Sequence, residues 1–226
     1  MTCAGLCSAS AFAQSPDAGA ASSSSSKSVP SAASKARKAG PALDAGTLSG
    51  DVYRNTAFGF TCKVPAGWVE RTEEMNESDD DSQDTSQPQG TRGGTEEKRG
   101  RVLLAVFSRP PAAHGEDVNA SIVIAAESAA TYPGLTDAAQ YVVGPLTDAA
   151  KAQGFHVAGE AYEFTVGSKT LPRADFQKNM ARHVVREATV AMLAKRWLVT
   201  FTFVAGTDDD LDELMEGLSF GAAKGK

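Results

Sequence analysis

The chain has 226 residues, with 28 acids against 22 bases, a net charge of −6 and 42% apolar residues. No basic stripe is present to neutralise phosphates, which argues against nucleic-acid binding. No run of ~18 apolar residues occurs, which argues against a membrane-spanning helix in the mature chain.

The N-terminal residues resemble the tail of a secretory signal. Ala11-Phe12-Ala13 followed by Gln14-Ser15-Pro16 fits a small-x-small cleavage pattern, so residues 1–13 are predicted to be a signal-peptide remnant and the protein to be exported, periplasmic or secreted. The alternative is an Ala/Ser-rich terminus that is not cleaved. Residues 14–50 hold 10 Ser, 9 Ala, 4 Gly and 3 Pro. Such a composition cannot bury enough apolar surface to offset its ordering entropy, so this stretch is predicted to be a disordered tether. After cleavage Cys62 is the sole cysteine, so no intramolecular disulfide is expected.

A folded domain is predicted over 51–221, with 222–226 as a tail. Phe58, Phe60, Cys62 and Val64 alternate on one face of a strand, Pro65-Ala66-Gly67 makes a turn, and Trp68-Val69 opens a second strand. Tyr53, Asn55, Gly59-Phe60, Pro65, Gly67 and Trp68 resemble the opening strand pair of the PsbP-like superfamily, which includes DcrB-type lipoproteins and a eukaryotic Ran-binding protein of the Mog type. The resemblance implies a three-layer α/β/α sandwich around a mainly antiparallel sheet. It also implies an accessory or binding role; the matched positions are fold-forming and carry over no binding residue.

Residues 75–100 lack apolar periodicity and are predicted to be an exposed, disordered acidic loop. Asp79, Asp80, Asp81 and Asp84 invite a calcium reading. Counted from Asp79, however, the sixth and twelfth positions of an EF-hand loop are Asp84 and Gly90, where Gly and Glu are needed. The segments 101–108 and 120–127 are apolar on both faces and predict strands inside a covered sheet. Residues 136–153 predict a helix with Thr136 as N-cap and Ala139, Val142, Val143, Leu146 and Ala150 in a stripe, either kinked or split into two abutting pieces at Gly144-Pro145, and ended by Gly154.

Strands follow over 155–166 and 170–178, with Pro172 suggesting a start at an edge. The longest stretch free of Gly and Pro, 183–204, predicts two strands joined at Leu193-Ala194-Lys195-Arg196. Alternation puts Val184, Val190 and Met192 on one face of the first strand, and Trp197, Val199, Phe201 and Phe203 together on the partner strand. A last helix begins at Thr207-Asp208-Asp209-Asp210, where the acids favour the helix dipole, and carries Leu211, Leu214, Met215 and Leu218 on one side. Strand order and spacing indicate an α+β fold class.

His114, His156 and His183 stand alone, and no HExxH, CxxC, G-x-S-x-G or Walker-type loop is present. No catalytic, cofactor-binding or metal-binding residue is assigned, and no cofactor is expected. The reading is a non-catalytic exported accessory or binding domain whose partner is another envelope protein or a small ligand. The alternative is an extracytoplasmic hydrolase with a site at a sheet end, marked by His156 or His183 within reach of a carboxylate.

Overall fold

A computed structural model describes residues 43–83, 100–110, 112–113, 115 and 117–221, and in helix 72–83 the side chains only as far as residue 77. The expected signal remnant, most of the tether, residues 84–99 and the tail lie outside the described residues. Ordered structure starts earlier than expected. Strand β1 (Thr47–Ser49) pairs with β2 (Val52–Asn55) around a tight turn in which Gly50 takes φ 60, a left-handed conformation that favours glycine. Residues 43–50 therefore belong to the domain and not to the tether. Leu43 and Leu48 pack on the core, the Tyr53 hydroxyl donates to the Ala45 carbonyl (2.6 Å), and Asn55 Nδ2 donates to the Asp44 carbonyl (2.9 Å). These contacts offset the segment's weak local preference.

The Asn55 Oδ1 also accepts from the Phe58 N–H (3.0 Å), so one fully buried side chain ties the incoming segment to the turn before β3 (Phe60–Lys63). Phe58 is buried, but it sits in that turn and not in the strand. A short strand, β4 (Val69–Glu70), follows the Pro65-Ala66-Gly67 turn.

The expected loop after it begins as a helix, α1 (Thr72–Gln83). Its fastening is polar. The Asn76 side chain donates to the Val102 carbonyl (3.0 Å) and accepts from the Val102 N–H (2.9 Å), while Thr72 Oγ1 accepts from the Ala105 N–H (3.0 Å). These groups belong to β5 (Arg101–Phe107), whose pairing with β4 covers only Val106 and Phe107. The helix satisfies strand-edge groups that would otherwise be open. An apolar-periodicity test cannot detect such an attachment.

The remaining strands are β6 (Ser121–Ser128), β7 (His156–Val157), β8 (Tyr162–Val166), β9 (Lys169–Asn179), β10 (Val184–Ala194), β11 (Trp197–Ala205) and β12 (Leu218–Phe220). All pairings are antiparallel, in a large sheet ordered β4-β5-β6-β11-β10-β9-β7, with β8 also on β9, and a small sheet ordered β1-β2-β3-β12. The expected hairpin 183–204 is the β10–β11 pair, closed by Lys195 at φ 59 and Arg196. Pro172 falls just beyond the last β9–β10 partner, Arg173, so its missing N–H lies where β10 no longer pairs.

Between Tyr141 and Thr147 the middle helix changes pitch. Helix α2 (Ala138–Tyr141) runs through a π turn (Val142–Leu146) into α3 (Thr147–Ala152). Pro145 supplies no N–H inside this turn, and the Thr147 hydroxyl donates to the Val142 carbonyl (2.7 Å). The extra residue rotates the stripe: Ala138, Tyr141, Val142 and Ala150 are buried, whereas Ala139 is exposed and Val143 is 65% exposed. Asp137, not Thr136, is the N-cap, accepting from the Gln140 N–H (2.9 Å). Gly154 ends the helix at φ 84 as expected.

The antiparallel α+β class is the one expected. One face of the large sheet packs Phe176, Ala174, Ala191 and Leu198 under α2–α3. The other face packs Ile122, Ile124, Val190, Val199, Phe201 and Phe203 against Tyr53, Phe60 and Phe220 of the small sheet and against α4 (Asp208–Glu216). The layer on that side is thus a second sheet with one helix. Phe60 meets Phe201 edge-to-face at 4.8 Å between ring centroids, a geometry aromatic pairs prefer. Strand β5 is buried on both faces as expected, but Val123 and Ala125 on the second face of β6 are only half-buried.

Candidate binding cleft

At one end of the two sheets four separate segments enclose a cleft of about 810 Å³. The first is the turn after β3. Pro65 restricts φ, Gly67 takes φ 82, and the Trp68 N–H donates to the Pro65 carbonyl (3.3 Å), which sets the half-buried indole at the cleft with Lys63 and Pro65. The second is the β5–β6 connection, pinned by Asn119. Its Oδ1 accepts from the Ser108 hydroxyl and the Arg109 N–H (both 3.0 Å), and the Ser108 N–H donates to the Ala120 carbonyl (2.8 Å). Ser108, Asp117, Val118 and Ala120 line the cleft from this side.

The third segment is the β9–β10 turn, closed by the Met180 N–H on the His183 carbonyl (2.9 Å). His183 lines the cleft, and its buried Nδ1 has no hydrogen-bond partner among the described residues. The fourth is the corner into α4. Arg186 holds it by donating to the Gly206 carbonyl and to Asp208 Oδ1 (both 2.8 Å). Thr207 Oγ1 accepts from the Asp210 N–H (3.1 Å) and caps the helix. Thr207, Asp210, Glu213, Leu214, Glu216 and Gly217 then form the helical wall.

Apolar surface from Trp68, Val118, Ala120 and Leu214 lies beside an acidic rim of Asp117, Asp210, Glu213 and Glu216, with Lys63 and His183 as the basic lining groups. Asp117 is held by the Arg109 guanidinium, whose hydrogen bond keeps that carboxyl below its usual range. The Ser108 hydroxyl is engaged with Asn119 and the Thr207 hydroxyl with its helix, so both are committed to holding loops.

Of the three histidines weighed from the sequence, His183 is the one found lining the cleft. His156 is exposed on β7, and His114 lies outside the described residues. Asp79, Asp80 and Asp81 fall within α1, and Asp84 lies outside the described residues. Among the described residues no group of three or more His, Cys, Asp or Glu is placed to hold a metal ion. Cys62 is fully buried in the core, as expected, and burial pushes its thiol up to about 12. Asp208 pairs with Arg186 (2.8 Å). Sequence reasoning missed the cleft wall because its residues come from four distant segments. The sequence signals available were Trp68 after the Pro-x-Gly turn and the cap at Thr207.

No protein-family model and no curated protein matches the chain. Solved structures similar to it include the cyanobacterial PsbP (CyanoP) of Synechocystis sp. PCC 6803, at 15% identity and TM-score 0.44 over 80% of this chain and 98% of that one. The Ran-binding protein Mog1p of Saccharomyces cerevisiae is 13% identical, with TM-score 0.38 over 75% of this chain and 83% of that one. LpqN, involved in cell envelope biogenesis of Mycobacterium tuberculosis, is 12% identical, with TM-score 0.36 over 72% and 83% respectively. No activity of these proteins is carried over to this chain. Among the described residues no helix is long and apolar enough to cross a membrane.

Proposed function

We propose that this protein is an exported, non-catalytic binding domain and that the cleft between Trp68 and α4 is where it holds its ligand, a segment of an envelope protein or a small molecule. The observation that carries the reading is the cleft itself: about 810 Å³, apolar along Trp68, Val118, Ala120 and Leu214, and rimmed by a few polar groups. That volume and lining suit a ligand site. The engaged hydroxyls of Ser108 and Thr207 favour binding over acyl transfer. Export is supported by the Ala11-Phe12-Ala13 pattern.

A neutral apolar dye such as N-phenyl-1-naphthylamine tests the site without involving charge. It is expected to bind with enhanced fluorescence, and Val118→Trp, which narrows the cleft, is expected to abolish the enhancement. Absence of binding, or binding untouched by that variant in a protein that still folds, refutes the assignment. Turnover of p-nitrophenyl acetate that His183→Ala removes would favour the hydrolase reading instead.

A further inference from the structure

Resting on the cleft reading, we infer that the ligand is an extended peptide segment in which basic side chains alternate with apolar ones. Helix α4 forms one wall and has nine residues. At ~1.5 Å per residue that wall is roughly 13 Å long, the span of about four residues of extended chain. Asp210, Glu213 and Glu216 line the cleft at successive three-residue steps along this wall, ~4.5 Å apart along the axis. All three are exposed, and none has an ion-pair partner among the described residues. Lys63, whose N–H donates to the Gly217 carbonyl (2.9 Å) just after Glu216, is the one lysine or arginine of the lining, so the lining carries a net negative charge.

Helix energetics make the rim unusual. Glu216 lies in the last turn of α4, which contains no basic residue, whereas the C-terminal end of a helix favours cations. An acid there is opposed by its own helix and gains from a cation brought to it. In an extended segment side chains two apart lie on one face, ~6.7 Å from one another. Lysines or arginines at that spacing reach the acids of the wall while the residues between them turn toward Trp68, Val118 and Ala120, the apolar lining outside the helix. The amphipathic cleft and its charge therefore match the same ligand.

The probe is an acetylated, amidated pentapeptide alternating lysine and leucine, compared with the glutamate–leucine peptide of the same length. Binding is read from the fluorescence of Trp68, with Trp197 buried in the core as a constant background. The lysine peptide is expected to bind at least about tenfold more tightly than the glutamate peptide, and the exposed pair of changes Glu213→Gln and Glu216→Gln is expected to remove most of that preference. Raising the salt should weaken the lysine peptide selectively. Equal binding of the two peptides, no response of Trp68 to either, or a preference that survives the double variant overturns the inference. If the neutral dye still binds in that case, the cleft stands as a site and only the basic class falls; if the dye also fails, the cleft reading falls with it.

Discussion

Replacing Asn55 by alanine should unfasten the N-terminal edge of the domain. Asn55 is fully buried and makes two hydrogen bonds, to the Asp44 carbonyl at 2.9 Å and from the Phe58 N–H at 3.0 Å. Truncation removes both and orphans both partners. An orphaned buried group costs ~1–3 kcal/mol. The Phe58 bond is buried and the Asp44 bond is partly so, which places the second at the lower end and the sum at about 3 kcal/mol. In a domain of this size 1 kcal/mol moves Tm by ~2–4 °C, so the variant should melt about 6–12 °C lower. Urea unfolding followed by circular dichroism measures the loss, and hydrogen exchange at Phe58 should accelerate. Asn55→Asp retains the acceptor for Phe58 but loses the donor to Asp44 and buries a charge, so it should be no better than alanine. A loss below about 1 kcal/mol with an unchanged denaturant slope would refute the reasoning.

Asn76→Ala should release α1 from the edge of β5, costing about 1–2 kcal/mol and exposing the Val102 amide to exchange; protection retained at Val102 would show that the helix is held by other contacts. Cys62 should resist alkylation at pH 8 in the folded protein and react on unfolding, because burial raises its thiol to about 12. The sign of the linked effect follows. The folded state keeps a proton that the unfolded state loses, so this contribution is present below the ordinary thiol value near 9 and is lost as the pH rises toward 12. Burial raises Tyr53 to about 12 in the same sense, so stability should fall across this alkaline window. Cys62→Ala should flatten the fall by up to about 1.4 kcal/mol per pH unit, and an unchanged slope would show that Cys62 does not contribute.

The β10–β11 hairpin, the β8–β9 hairpin, the interruption of the middle helix around Pro145 and the capped α4 were legible because each is written locally. Alternating Val190, Met192, Val199, Phe201 and Phe203 report one buried face through the two-residue period of a strand, and Thr207 is the kind of residue that caps a helix. Elements held by partners far along the chain were not legible. Thr47–Ser49 pairs with its neighbour β2, but in a Ser/Ala/Gly-rich stretch it is held as a strand by Leu43 and Leu48 packing on the distant core. Leu218–Phe220 becomes one because β3 offers it an edge. Helix α1 forms where acidic composition suggests a loop because Thr72 and Asn76 satisfy the open groups of β5.

The candidate site divides in the same way. The sequence by itself determined its parts: the Pro-x-Gly turn before Trp68, the cap at Thr207 and an isolated His183. Only the tertiary structure decided that these parts share one cleft, because side chains from four segments meet there through pairings at long sequence separation. Local periodicity records which face of an element is buried; it carries no record of which distant element buries it.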